Sequence, residues 1–274
     1  SYFKGKNVVE MANQTFHAMG LDIEDVLKRS DLYPREHKNP FGFCSDINRE
    51  GDVRILVNLD ESIFWCTALL HELGHAVYFK NIDCQLPFIL RFHSHTLTTE
   101  AIALLFGRMS KMDSWQKRFL DLQPNQLEEL SPFANKMLQR QMLVSARWII
   151  TFSTFERELY ENPNQNLNQL WWKLVKDIQF MHPPEATHFP DWAAKMHFSL
   201  APASYQDYLL GELTASQLHC FIEKNISKEL FTEEVGSYLI REFIRPGASL
   251  HWNEKIKQAT GEYLNTRYFI NQFF

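Results

Sequence analysis

An apolar stretch from Ile63 to Phe79 carries His71-Glu72-Leu73-Gly74-His75 in its middle. A run this apolar has to be buried. As a helix it sets His71 and His75, four residues apart, on one face. Two imidazoles and a carboxylate buried together are costly unless something compensates them. The chain must therefore build a core around this helix and also give its polar residues a partner. A zinc ion held by His71 and His75, with Glu72 beside them as general base on a water, meets both demands. A chance motif in a helical protein, or a metal-free descendant of a metal site, is the competing reading.

Catalytic zinc usually takes three protein ligands and keeps a position open. Glu100 stands 25 residues after His75, in Thr98-Thr99-Glu100-Ala101. Threonines suit a helix start, so its carboxylate is expected in the first turn of a second helix. His93 and His95 compete for the role from the connecting loop. Glu100 is preferred, because a carboxylate on a rigid helix is better held than a loop imidazole. Zinc would polarise a carbonyl and acidify a water, and Glu72 would pass that water's proton to the leaving amine.

Elsewhere the pattern is helical, over 5–29, 61–80, 98–109, 112–121, 125–160, 166–180, 202–225, 232–244 and 251–260, with a break or kink expected at Pro132. Val53–Leu59 alternates and is β-branched, and residues 41–45 are placed to pair with it. The fold class is thus mainly α, with a small antiparallel sheet just before the HELGH helix, and residues 1–274 read as a single catalytic domain. A net charge of −5 gives no case for nucleic acid, and no apolar run is long enough to span a membrane. Cys44, Cys66, Cys84 and Cys220 show no paired spacing and read as buried free thiols. The chain opens on Ser1 without a methionine, so the compartment stays open.

The segments Asp31–Glu36, Gly51–Asn58, Leu69–Tyr78 and His95–Ala103 resemble the peptidyl dipeptidase A family, the angiotensin-converting-enzyme-like zinc peptidases. Thimet oligopeptidase and oligoendopeptidase F are more distant relatives. The resemblance extends to Tyr205–Leu213 and Pro246–Trp252. It implies His71, His75 and Glu100 as zinc ligands and Glu72 as general base. It also implies His197 as a donor to the substrate carbonyl and Tyr208 as the oxyanion donor. Lys195 and Tyr205 match the grip on a substrate's C-terminal carboxylate, and Gly42, Phe43 and Cys44 match the edge strand that pairs with the peptide. If the stretch around Lys195 and His197 is extended, both can face one cleft. Tyr205 and Tyr208, three apart, would share a helix face.

The chain departs from the family pattern at three places. Phe41 stands where a histidine is usual. Leu104 replaces a carboxylate, so His71 needs another orienting partner. Gln206-Asp207 replaces an arginine that binds chloride in some members, so chloride activation is not carried over. Family members are about twice this long, which implies an N-terminal half of the same polypeptide as partner. The expected activity is release of C-terminal dipeptides from oligopeptides. An endo-acting oligopeptidase and a catalytically impaired peptide-binding scaffold are the alternatives.

Overall fold

Helices carry most of the regular structure in the computed structural model, which describes residues 2–184 and 189–274; among these residues the only sheet has two strands. Helices α1 (Val8–Ala18) and α2 (Glu24–Arg29) come first, then strands β1 (Phe43–Asp46) and β2 (Val53–Leu56). They are followed by α3 (Ile63–Lys80), α4 (Thr96–Gly107), α5 (Asp113–Phe119), α6 (Pro124–Glu161) and α7 (Leu167–Leu174). The C-terminal part holds α8 (His197–Leu200), α9 (Gln206–Asn225), α10 (Glu233–Tyr238), α11 (Trp252–Thr260) and α12 (Arg267–Phe273). None of the described helices is long and apolar enough to cross a membrane. The chain divides into two units, residues 1–138 with 211–274, and residues 139–210.

The first unit is organised on α3 and α4. Ser62 caps α3, its Oγ accepting from the Trp65 N–H. His95 caps α4 in the same way, its Nδ1 accepting from Leu97. The two helices run antiparallel, since Tyr78 and His75 meet Thr98 and Thr99 while Gly107 lies against His71. Gly74 is what lets them approach. A Cβ built there would lie 2.7 Å from the Ala103 Cα, nearer than real side chains come. The motif glycine thus trades about 1 kcal/mol of helix propensity for a backbone-to-backbone crossing. Strands β1 and β2 pair antiparallel in the register Phe43↔Leu56 to Asp46↔Val53. Val53 and Ile55 face the core while Arg54 is exposed, the alternation expected of a half-buried strand.

The second unit has an aromatic core of Phe155, Trp171 and Val175, with Trp148, Trp192 and Phe198 packed against it.

Several elements differ from expectation. The helix expected over 5–29 is split, because Gly20 turns the chain at a positive φ of 67°. The helix expected at 202 starts at Gln206, and those expected to reach 180 and 244 finish in π-helical turns, Val175–Gln179 and Leu239–Ile244. Helix α6 runs through Pro132 unbroken. The bond that proline cannot make frees only the carbonyl of Glu128, an exposed residue, so water can satisfy it. Of residues 191–200, Lys195 is extended, but it stands between a 3-10 turn over Asp191–Ala194 and α8, so the stretch as a whole is not a strand. Helix α12 was not anticipated, although Phe269 and Phe273 bury the i, i+4 pair that holds it. The four cysteines are unpaired, but only Cys66 is buried, and Cys84 is exposed.

Candidate functional site

Helices α3 and α4 bring His71, His75 and Glu100 together, with one ligand atom from each lying within 4.8 Å of the others. The Nε2 of His71 is 3.7 Å from one Glu100 oxygen, and the Nε2 of His75 is 3.6 Å from the other. Zinc bonds of about 2.0–2.2 Å in tetrahedral array would set ligand atoms about 3.4 Å apart, so this donor set fits that ion. Each imidazole is also anchored on its far side. His75 Nδ1 lies 2.8 Å from Thr99 Oγ1, and the His71 ring donates to the Ala103 carbonyl. The orienting partner that Leu104 cannot provide is therefore a main-chain oxygen one residue earlier. Gly211 packs on the other side of Glu100, where a Cβ would come within 2.9 Å of the Glu100 Cβ.

Burial sets the charge states. It pulls His71 down to about 4, the hydrogen bond to Ala103 opposing it only in part. It pulls His75 well below the ordinary range, with the His71 and His93 charges acting in the same direction. Both rings are thus neutral near pH 7, the state in which a histidine can donate a lone pair. Burial also raises Glu72 to about 8.

Strand β1 flanks Glu72. A Cβ on Gly42, the residue just before the strand, would lie 3.0 Å from Glu72 Oε1. Burial and the Glu72 charge raise the Cys44 thiol. The ring of Phe43 is exposed. Among the described residues β1 pairs only with β2, which leaves its other edge with unpaired main-chain groups. His93 stands outside the ligand trio, its ring 3.9 Å from Phe92 and 5.9 Å from Phe79. His95 is the cap of α4.

The remaining candidates, Lys195, His197, Tyr205 and Tyr208, all belong to the second unit. Tyr205 stacks on Phe152 at 3.9 Å, and Phe152 stacks on Phe198 at 4.1 Å. The His197 ring stands edge-on to Tyr205 at 4.8 Å and to Tyr208 at 6.4 Å, and the two tyrosine rings are 5.3 Å apart. Trp148 donates from Nε1 to the Tyr205 hydroxyl at 2.6 Å. Its ring lies 5.5 Å from the Lys195 ammonium. Burial lowers His197, and the Glu156 carboxylate opposes that shift.

Trp148, Phe152, Thr99 and Ala103 are the residues that sequence reasoning missed. Trp148 and Phe152 stand four apart on α6, a spacing that could have marked a shared aromatic face. The Ala103 carbonyl left no signal, since a main-chain acceptor has no residue type.

No family model matches the chain. It is 24% identical over 257 residues to Carboxypeptidase 1 of Bacillus subtilis (strain 168), covering 84% of this chain and 51% of that protein. It is 23% identical over 221 residues to Angiotensin-converting enzyme-like protein Ace3 of Mus musculus, covering 75% and 29% respectively. It is 20% identical over 287 residues to Angiotensin-converting enzyme-related protein of Drosophila melanogaster, covering 94% and 44%. The chain thus spans about half, or less, of the length of these relatives. The crystal structure of BsuCP superposes with a TM-score of 0.73 over 99% of this chain and 58% of that one, at 20% identity. That likeness establishes a shared fold.

Proposed function

We propose that the chain carries the catalytic groups of a zinc peptidase that shortens oligopeptides from the C-terminus, most simply by two residues at a time. The observation that carries this reading is the convergence of His71, His75 and Glu100 beside Glu72, with a strand edge against the Glu72 carboxylate. The names of the relatives, a carboxypeptidase and angiotensin-converting-enzyme-like proteins, support peptide hydrolysis.

His71, His75 and Glu100 would hold the ion. Bound zinc would supply Lewis acidity to the scissile carbonyl and to a water. Glu72 takes the proton from that water and delivers it to the departing amine. The main chain of Gly42, Phe43 and Cys44 offers a substrate peptide its unpaired edge. His197 donates to a substrate carbonyl, and Tyr208 donates to the oxyanion as it forms. Lys195 and Tyr205 take the terminal carboxylate. The greater length of the relatives supports an N-terminal half of the polypeptide as the partner that closes the site.

The decisive test is metal analysis followed by mass spectrometry of products from a peptide library. One zinc per chain is expected, with peptidase activity that a chelator abolishes. Glu72→Gln is expected to keep the zinc and lose about 10²–10⁴ in kcat. A chain that takes up no metal from excess zinc would be a peptide-binding scaffold instead. Equal cleavage of C-terminally amidated peptides at internal bonds would favour an endo-acting oligopeptidase. The likeness to a carboxypeptidase favours a second exo reading, release of one residue, and the product masses separate the two.

A further inference from the structure

The chain comes to the Glu72 carboxylate out of a surface loop, and one buried ammonium closes that loop. Residues 33–37 and 39–41 are exposed, yet the Lys38 side chain between them is only 1% exposed. Its ammonium donates to the Val57 carbonyl at 2.5 Å and to the Tyr33 carbonyl at 2.8 Å. It also donates to Asp31 Oδ1 at 3.0 Å and to the Asp31 carbonyl at 3.1 Å. Three hydrogens serve four acceptors, so one hydrogen is shared. A charge buried this deeply is costly unless it is paired and hydrogen-bonded. Lys38 meets that demand, and three of its four acceptors are main-chain carbonyls.

Those acceptors belong to a fixed platform. The residues after α2 run beside β2: the Asp31 N–H donates to the Ile55 carbonyl at 3.0 Å, and the Asp31 carbonyl accepts from the Val57 N–H at 3.0 Å. The Leu59 N–H donates to the Leu32 carbonyl at 2.9 Å. The loop returns to this platform at Lys38 and is caught again one residue later, where the Asn58 side chain donates to the Asn39 carbonyl at 2.9 Å. Asn39 Oδ1 then accepts from the Phe41 N–H at 2.9 Å. The next residue is Gly42, so close to Glu72 that an added Cβ would lie 3.0 Å from Oε1. Strand β1 begins directly after it.

We propose that Lys38 is a positioning residue: by stapling the loop to the platform beside β2, it sets how closely Gly42 and the outer edge of β1 approach Glu72. This rests on the reading of that edge as the seat of a peptide's main chain. A peptide held there is placed over the general base only as accurately as the edge itself is placed, and a misplacement of about 1 Å can cost about 10²-fold in rate.

The test is steady-state kinetics of the intact zinc-loaded polypeptide on a pentapeptide and on analogues N-methylated at one amide each. In the parent protein, at least one methylation is expected to lower kcat/KM about fivefold, the effect of losing one main-chain hydrogen bond. Lys38→Met keeps the buried stem and removes the ammonium. It is expected to bind zinc as tightly as the parent, to lower kcat/KM on the unmethylated peptide about 10–100-fold, and to flatten the methylation ratio towards one. Asn58→Ala cuts only the second anchor and should move both quantities the same way by a smaller factor. A parent indifferent to every methylation sinks the edge reading itself. A parent that senses methylation, beside a Lys38→Met variant with the same ratio, overturns the role of Lys38 and leaves the edge reading standing. Loss of zinc in Lys38→Met also overturns it, since the lysine would then support the metal helices. If Lys38→Met does not fold, Asn58→Ala decides on the same ratio.

Discussion

The two units hold their candidate groups by different physics. In the first, the two histidines are anchored by hydrogen bonds with the neighbouring helix, His75 with Thr99 and His71 with the Ala103 carbonyl. In the second, Tyr205 stacks on Phe152 and accepts a hydrogen bond from Trp148, and the His197 and Tyr208 rings pack against Tyr205. Hydrogen bonds set angles sharply, as a metal site needs. Stacked rings tolerate small displacements, as a site for varied peptides can use. The first unit should therefore answer to single-atom changes in metal affinity, and the second in turnover or selectivity with the metal undisturbed.

Beyond Glu72→Gln, the largest expected effect lies in the second unit. Tyr208→Phe removes one hydroxyl and keeps the ring contacts with Tyr205 and His197. If that hydroxyl donates to the oxyanion, kcat falls about 10²–10³-fold while KM and zinc content stay near their starting values. Stopped-flow turnover with parallel metal analysis reads both. A loss of zinc in this variant would break the division between the units.

Thr99→Val makes the complementary cut. It leaves volume nearly unchanged and deprives His75 Nδ1 of its partner. Loss of such a supporting bond costs about 10–100-fold in metal affinity. Competition with a fluorescent chelator should show that drop, and saturating zinc should restore turnover. Gly74→Ala is smaller. The new methyl would collide with the Ala103 Cα, and overpacking of this kind costs about 1–3 kcal/mol, against about 1 kcal/mol regained in helix propensity. A net fall in unfolding midpoint is expected, and a rise would show that α3 and α4 can separate without penalty.

The same contrast explains what could be read from the sequence. His71, Glu72 and His75 announce themselves through spacing, and Glu100 through its place at a helix start, because each belongs to a local pattern of period near 3.6. The mainly helical class and the hairpin before α3 follow from the same periodicities. What escaped was non-local. Nothing near Tyr205 in the sequence points to Trp148, 57 residues away. The irregular path through residues 191–200 depends on Trp192 and Phe198 packing on Phe155, contacts that no window of residues contains. Gly20 split a pattern that was periodic on both sides of it, because periodicity registers side chains and not the sign of φ.

A further test concerns what stands behind α4. Lys255 on α11 is completely buried, donating to the Gly247 carbonyl at 2.6 Å and to the Tyr78 hydroxyl at 2.9 Å. Tyr78 in turn meets Thr98, at the start of the helix that carries Glu100. Burial brings Lys255 down to about 7 from its ordinary 10.5. The unfolded chain therefore binds the proton across a window in which the folded chain does not. Stability must rise with pH from about 7 to about 10.5, by up to about 1.4 kcal/mol per pH unit, and the burial penalty is full below 7. Lys255→Met removes that proton from both states. Urea midpoints of the metal-free protein, taken at intervals from pH 7 to 10, should climb in the wild type relative to the variant, other titrating groups cancelling in the difference. Parallel curves would mean that Lys255 reaches water. The buried chain from α11 through Tyr78 to α4 would then not be closed, and the first unit would be less rigid than the comparison requires.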